Sequence, residues 1–186
     1  MALFSTPSSC PVTLLFKLRT ALSKTSAIKT LTGTSTDADA LERITVGPFD
    51  DSPDGDFWDV QDMEDEKSYI QIYLDDGGYS ASRQVWQSGQ FDESAVATVV
   101  VHRQVLGSEI DRTSRSSLRD VWLYFSDLAF LMIGDQLAEQ ANVEGLFIQD
   151  ISMPSGPGLL SPEHEEGQNQ RVQVVFQVTL GRGGSE

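Results

Sequence analysis

Cysteine, histidine and basic residues are all scarce in this 186-residue chain, and each shortage excludes a class of function. The single cysteine, Cys10, allows neither an internal disulfide nor a cluster of thiolate ligands. Two histidines, His102 and His164, are too few for a zinc site at defined spacing. With 13 Lys and Arg against 28 Asp and Glu, the formal net charge is -15, which disfavours binding to nucleic-acid phosphates and to anionic membranes.

Long apolar runs and catalytic motifs are also missing. The longest apolar run, Leu128 to Ile133, is far shorter than the ~18 residues that indicate a membrane-spanning helix. Pro7 and Pro11 interrupt the first apolar stretch, so we expect no targeting segment. The chain has no P-loop, no Gly-x-Gly-x-x-Gly and no Gly-x-Ser-x-Gly nucleophile elbow. We therefore expect no enzymatic activity and no cofactor, and a protein made in the cytoplasm.

The composition, 39% hydrophobic and 22% charged, is that of a globular protein. The length favours one domain over residues 1–186, with a core at about 11–182. Helical spacing of leucines predicts an amphipathic helix over 11–31. A second helix over 117–141 is predicted by an apolar set of the same period: Leu118, Val121, Trp122, Phe125, Leu128, Leu131 and Met132.

Strand-like alternation appears in three places. Residues 69–74 place Ile70, Ile72 and Leu74 on one face and Tyr69, Gln71 and Tyr73 on the other, and Asp76-Gly77-Gly78 is expected to end this strand. Residues 95–105 and 171–180 are rich in β-branched residues, and short strands are predicted near 41–49 and 147–151. Because the strands are grouped and do not alternate with helices, we predict an α+β fold, a mixed or mainly antiparallel sheet with two helices packed on it.

The remaining segments are predicted to be loops. They are a Thr/Ser/Asp loop at 33–39, an acidic loop at 50–66, a Pro/Gly/Glu loop at 154–170 and a polar tail at 181–186. The acidic loop holds nine carboxylates and no base.

The acidic loop contains a weak calcium candidate. Asp50, Asp54 and Asp56 fall at positions 1, 5 and 7 of an EF-hand-like loop, with Gly55 at the turn position. Position 12, however, is Gln61 and not the bidentate Glu of that motif, so a solvated acidic loop is the favoured interpretation and no metal site is predicted. The two histidines are interpreted as structural residues, His102 within a strand and His164 in a loop.

The order of elements resembles the tail terminator, or tail completion, proteins of tailed bacteriophages. The resemblance rests on the layout from Pro11 to Arg182, which includes a helix beginning Leu118-Arg119-Asp120-Val121, a short strand Leu146-Phe147-Ile148 and a closing strand from Arg171 to Leu180. No short diagnostic motif accompanies it. An acidic segment as long as 50–66 departs from the family and leaves open whether that loop faces a lumen or a rim.

The resemblance implies a virion protein and not an enzyme. Members form a hexameric ring at the head-proximal end of the tail and contact tail tube and neck proteins, while DNA passes through the lumen without specific binding. We expect the ring contacts to use Arg112, Arg115 and Arg119 as bases that meet acids of the next subunit. Core packing of the second helix is the favoured interpretation of Trp122, and partial burial against a neighbouring subunit, which would make it an interface residue, is the alternative. Two alternatives stay open: a head–tail connector or neck component, and an acidic cytosolic module that binds proteins or cations.

Overall fold

The computed structural model of the chain describes residues 11–47, 68–83, 90–105, 133–159 and 170–185. The elements in these ranges are α1 Pro11–Lys24, α2 Ser26–Thr32, α3 Asp37–Glu42, β1 Ile44–Val46, β2 Ser68–Arg83, β3 Gln90–Val105, α4 Ile133–Val143, β4 Phe147–Leu159 and β5 Gln170–Ser185. The strands form a sheet in the order β1-β2-β3-β5-β4, with β1 parallel to β2 and the other pairs antiparallel. The predicted α+β class with a mixed sheet is confirmed, although the described ranges hold four helices where two were expected.

One face of the sheet packs against the helices, and we call it the inner face. Alternate residues of β3 and β5 point to it and are buried: Ala95, Ala97, Val99, Val101, Val174, Phe176, Val178 and Leu180. They form one hydrophobic cluster with leucines of α1, Ile28 of α2 and Leu137 of α4. The strand residues alternate with a period of two, as the sequence pattern predicted for residues 95–105 and 171–180. The leucines of α1 follow the helical period instead.

The predicted helix over 11–31 is wrong as one continuous element. Thr25 separates α1 from α2 with an extended backbone, at φ -76° and ψ 137°. Its hydroxyl donates to the Leu22 carbonyl at 2.9 Å and accepts from the Ile28 N–H at 3.3 Å, so the side chain caps the second helix. Threonine competes in this way for backbone hydrogen bonds, and the leucine spacing alone does not reveal the break.

The predicted loop at 33–39 is also corrected, because it contains the start of a helix. Thr36 caps α3 by accepting a hydrogen bond from the Asp39 N–H at 3.1 Å. Asp37 and Asp39 lie in the first turn, where negative charge is favourable at the positive end of the helix dipole. The sequence therefore held a helix-start signal that was interpreted as a loop.

Asp76-Gly77-Gly78 does not end β2 as predicted. Leu74 pairs with Ala97 and Tyr79 pairs with Ala95, so residues 75–78 form a bulge opposite a single residue of β3. Gly77 has φ +73°, a conformation that glycine adopts at little cost. The strand resumes after the bulge and continues to Arg83.

Two other predicted loop boundaries are wrong. The Pro/Gly/Glu loop predicted at 154–170 begins later, since β4 continues to Leu159. β4 is an edge strand with several register irregularities, which is where a sheet tolerates prolines such as Pro154 and Pro157. The polar tail predicted at 181–186 is strand as far as Ser185, because it pairs with the first residues of β3. Residues 160–169 lie outside the described ranges.

Polar contacts distant in sequence fix α4 against α1 and α2. Lys17 Nζ donates to the Glu144 carbonyl at 2.9 Å, and Lys24 Nζ pairs with the Glu144 carboxylate. Since α4 has no base in its last turn, these lysines of α1 supply positive charge at its carboxyl end. Gln136 Oε1 accepts from the Ala27 N–H at 3.0 Å, at the first turn of α2.

Candidate functional site

The opposite side of the sheet, which we call the outer face, is the most distinctive surface of the described chain. Its residues form three rows across the strands, defined by the pairing register. The lower row is Arg43, Tyr69 and His102; the middle row is Thr45, Gln71, Val100 and Val175; the upper row is Gly47, Tyr73, Thr98 and Gln177. The described helices α1, α2 and α4 contribute to the hydrophobic cluster of the inner face.

The lower row is a compact polar cluster. Arg43 donates from Nη1 to the Tyr69 hydroxyl, and its guanidinium lies 4.8 Å from the centroid of the Tyr69 ring. His102 is the register partner of Tyr69 and is only 8% exposed. The expectation of a structural histidine is consistent with this position, and the row sets a cation–π contact beside an imidazole.

The middle and upper rows have no charged side chain among their described members. They combine amide, hydroxyl, tyrosine and β-branched side chains: Thr45, Gln71, Tyr73, Thr98, Val100, Val175 and Gln177. All of them except the buried Thr45 are of intermediate exposure. On a chain with a net charge of -15, such a neutral surface stands out.

The bulge of β2 is attached to the upper row by Asp75. Its carboxylate accepts from the Thr98 hydroxyl and, at 3.0 Å, from Gln177 Nε2, so one side chain joins β2 to β3 and β5. Gly78 closes the bulge: a Cβ there would lie 3.1 Å from the Val96 carbonyl oxygen. The negative charge of Asp75 is therefore partly satisfied within the chain.

Tyr73 lies in the upper row of this face, on β2. A Cβ added to Gly47 would lie 3.0 Å from its ring, so the ring packs closely over the end of β1. Desolvation by burial raises the pKa of the Tyr73 hydroxyl above its ordinary value of 10.0. The phenol therefore stays protonated and neutral at physiological pH.

The inner face holds one buried carboxylate, Glu93, which is 3% exposed. Its Oε1 accepts from the Tyr79 hydroxyl at 2.7 Å. Its Oε2 is buried and has no hydrogen-bond partner in the described part of the chain. Because the Glu93 carboxylate is buried, loss of the hydrogen bond from Tyr79 is expected to destabilise the fold.

Every base whose side chain the structure describes contacts a group of its own chain. Lys17 and Lys24 bind at Glu144, Arg19 Nη2 donates to the Leu41 carbonyl at 3.0 Å, Lys29 pairs with Asp37 at 2.6 Å, and Arg43 binds Tyr69. The three lysines and Arg19 thus stabilise the helical layer and Arg43 contacts the sheet, so binding a phosphate would compete with those contacts.

The site residues predicted from sequence lie outside the described residues. This holds for Asp50, Asp54 and Asp56, and for the proposed interface residues Arg112, Arg115, Arg119 and Trp122, which stay predictions. Of the predicted second helix, only the part from Ile133 onward is described, as α4. Within the described ranges, no group of three or more His, Cys, Asp or Glu side chains could hold a metal ion.

Sequence reasoning placed Tyr69, Gln71 and Tyr73 together on the face opposite Ile70 and Ile72, as the structure does. It missed the contact between Asp75 and Gln177, because the strand that holds Asp75 was expected to end at Asp76 and because strand order is not readable from periodicity. Register alone brings Gln177 next to Thr98.

No protein-family model matches the chain, and no curated protein matches it either. No described helix is long and apolar enough to cross a membrane. The function is therefore proposed from the residues and the fold of this chain.

Proposed function

We propose that this chain is a structural subunit of a phage virion, a tail terminator-like protein that forms a ring at the head-proximal end of the tail and joins the tail to the neck. The observation that supports this proposal is that the described helices pack against only one face of the sheet. Its helices bury the inner face, and the outer face presents neutral rows that suit contact with protein better than chemistry. The type of assembly is proposed from the resemblance between the order of elements in this chain and that of the tail terminator proteins.

The charge distribution supports this role. A ring around DNA requires a lumen that does not bind phosphate, and a subunit with 28 acids against 13 bases supplies negative potential to any surface that is not specifically basic. The bases whose side chains are described already contact groups of their own chain, in the helical layer or, for Arg43, on the sheet. DNA would then slide past without a specific contact.

Light scattering after size exclusion, with calcium and with a chelator, tests the assembly. We expect a discrete oligomer of about six times the chain mass of 20.4 kDa, unchanged by chelation, because closed rings have a fixed copy number. Negative-stain images of that peak should show a ring with a central channel. A monomer whose hydrodynamic radius changes with calcium would instead favour the cation-binding module.

The basic residues Arg112, Arg115 and Arg119 provide a second test. Reversal of all three to Glu should abolish or strongly weaken the oligomer, since each would then repel the acids of the next subunit. The matched control reverses Lys29, which already pairs with Asp37 of its own chain. An unchanged oligomer in the triple variant would remove these arginines from the interface.

A further inference from the structure

We draw no further inference here: the strongest candidate, the apolar surface at Val143 and Phe147 where α4 ends and β4 begins, carries nothing because no contact of the described residues shows what covers it.

Discussion

The two faces of the sheet differ in how they are stabilised. The inner face consists of aliphatic and aromatic side chains buried against three helices, with one carboxylate among them. The middle and upper rows of the outer face consist of neutral polar, tyrosine and valine side chains that, apart from the buried Thr45, are of intermediate exposure, while the lower row holds Arg43 beside the buried Tyr69 and His102. The strands β2, β3 and β5 therefore bury a hydrophobic core on one side and leave partly exposed neutral side chains on the other.

The largest effect should come from truncation on the inner side. Leu18 is fully buried in α1, and Leu18→Ala should lower the free energy of unfolding by about 3 kcal/mol, because burial is lost and a cavity remains. Val100→Ala, on the outer face, should cost under about 1 kcal/mol in the monomer. Urea denaturation of the monomer measures both. Equal losses would break the distinction between the faces.

The buried carboxylate gives the next largest effect. Tyr79→Phe removes the donor to Glu93 and should cost about 2 kcal/mol, since a buried carboxylate loses a hydrogen bond. Glu93→Gln in the Tyr79→Phe background should recover part of this loss, because the group that has lost its donor is then neutral. Chemical denaturation of the four variants forms the cycle. No recovery would mean that Tyr79 acts through its packing alone.

A smaller effect is expected at the margin of the outer face, where Phe147 lies over Gly181. A Cβ at position 181 would collide with the Phe147 ring and would lie 2.6 Å from Gln149 Nε2. Gly181→Ala should therefore cost about 1.5 kcal/mol as β4 shifts. Because Phe147 is 43% exposed, Phe147→Ala should be tolerated and should relieve the clash in the double variant. Thermal denaturation measures the three, and an additive double variant would contradict this contact.

The smallest effect concerns pH and Tyr73. Burial raises its pKa in the folded state, so the unfolded chain releases this proton first. Stability from this group is complete below the ordinary pKa of 10.0 and is lost as the pH rises through the folded value. Tyr73→Phe should therefore show a weaker fall in its urea midpoint above about pH 10 than wild type. If the urea midpoints of wild type and Tyr73→Phe fall equally with pH, the Tyr73 hydroxyl is exposed to solvent.

Periodicity predicted the inner face well, because alternating apolar residues at 95–101 and 174–180 fit a strand with one buried face, and the leucines of α1 fit a helix with one buried face. Periodicity did not predict the helix starts at which a short side chain forms hydrogen bonds with the backbone. Thr25 and Thr36 start helices that hydrophobic spacing does not show. The bulge after Leu74 was misinterpreted because Asp-Gly-Gly signals a turn, whereas Asp75 anchors it within the sheet.

The outer face could be predicted only in part. Alternation placed Tyr69, Gln71 and Tyr73 on one side of β2, but the rows require the order β1-β2-β3-β5-β4, which depends on pairings distant in sequence. The cluster of Asp75, Thr98 and Gln177 joins three such strands. Local patterns contain no information about that register.

Single-particle imaging of the assembled full-length chain, at a resolution that separates strands, tests the central claim most directly. We predict a closed ring of about six copies around a central channel. A monomer, or an open assembly that never closes into a ring, would contradict our account.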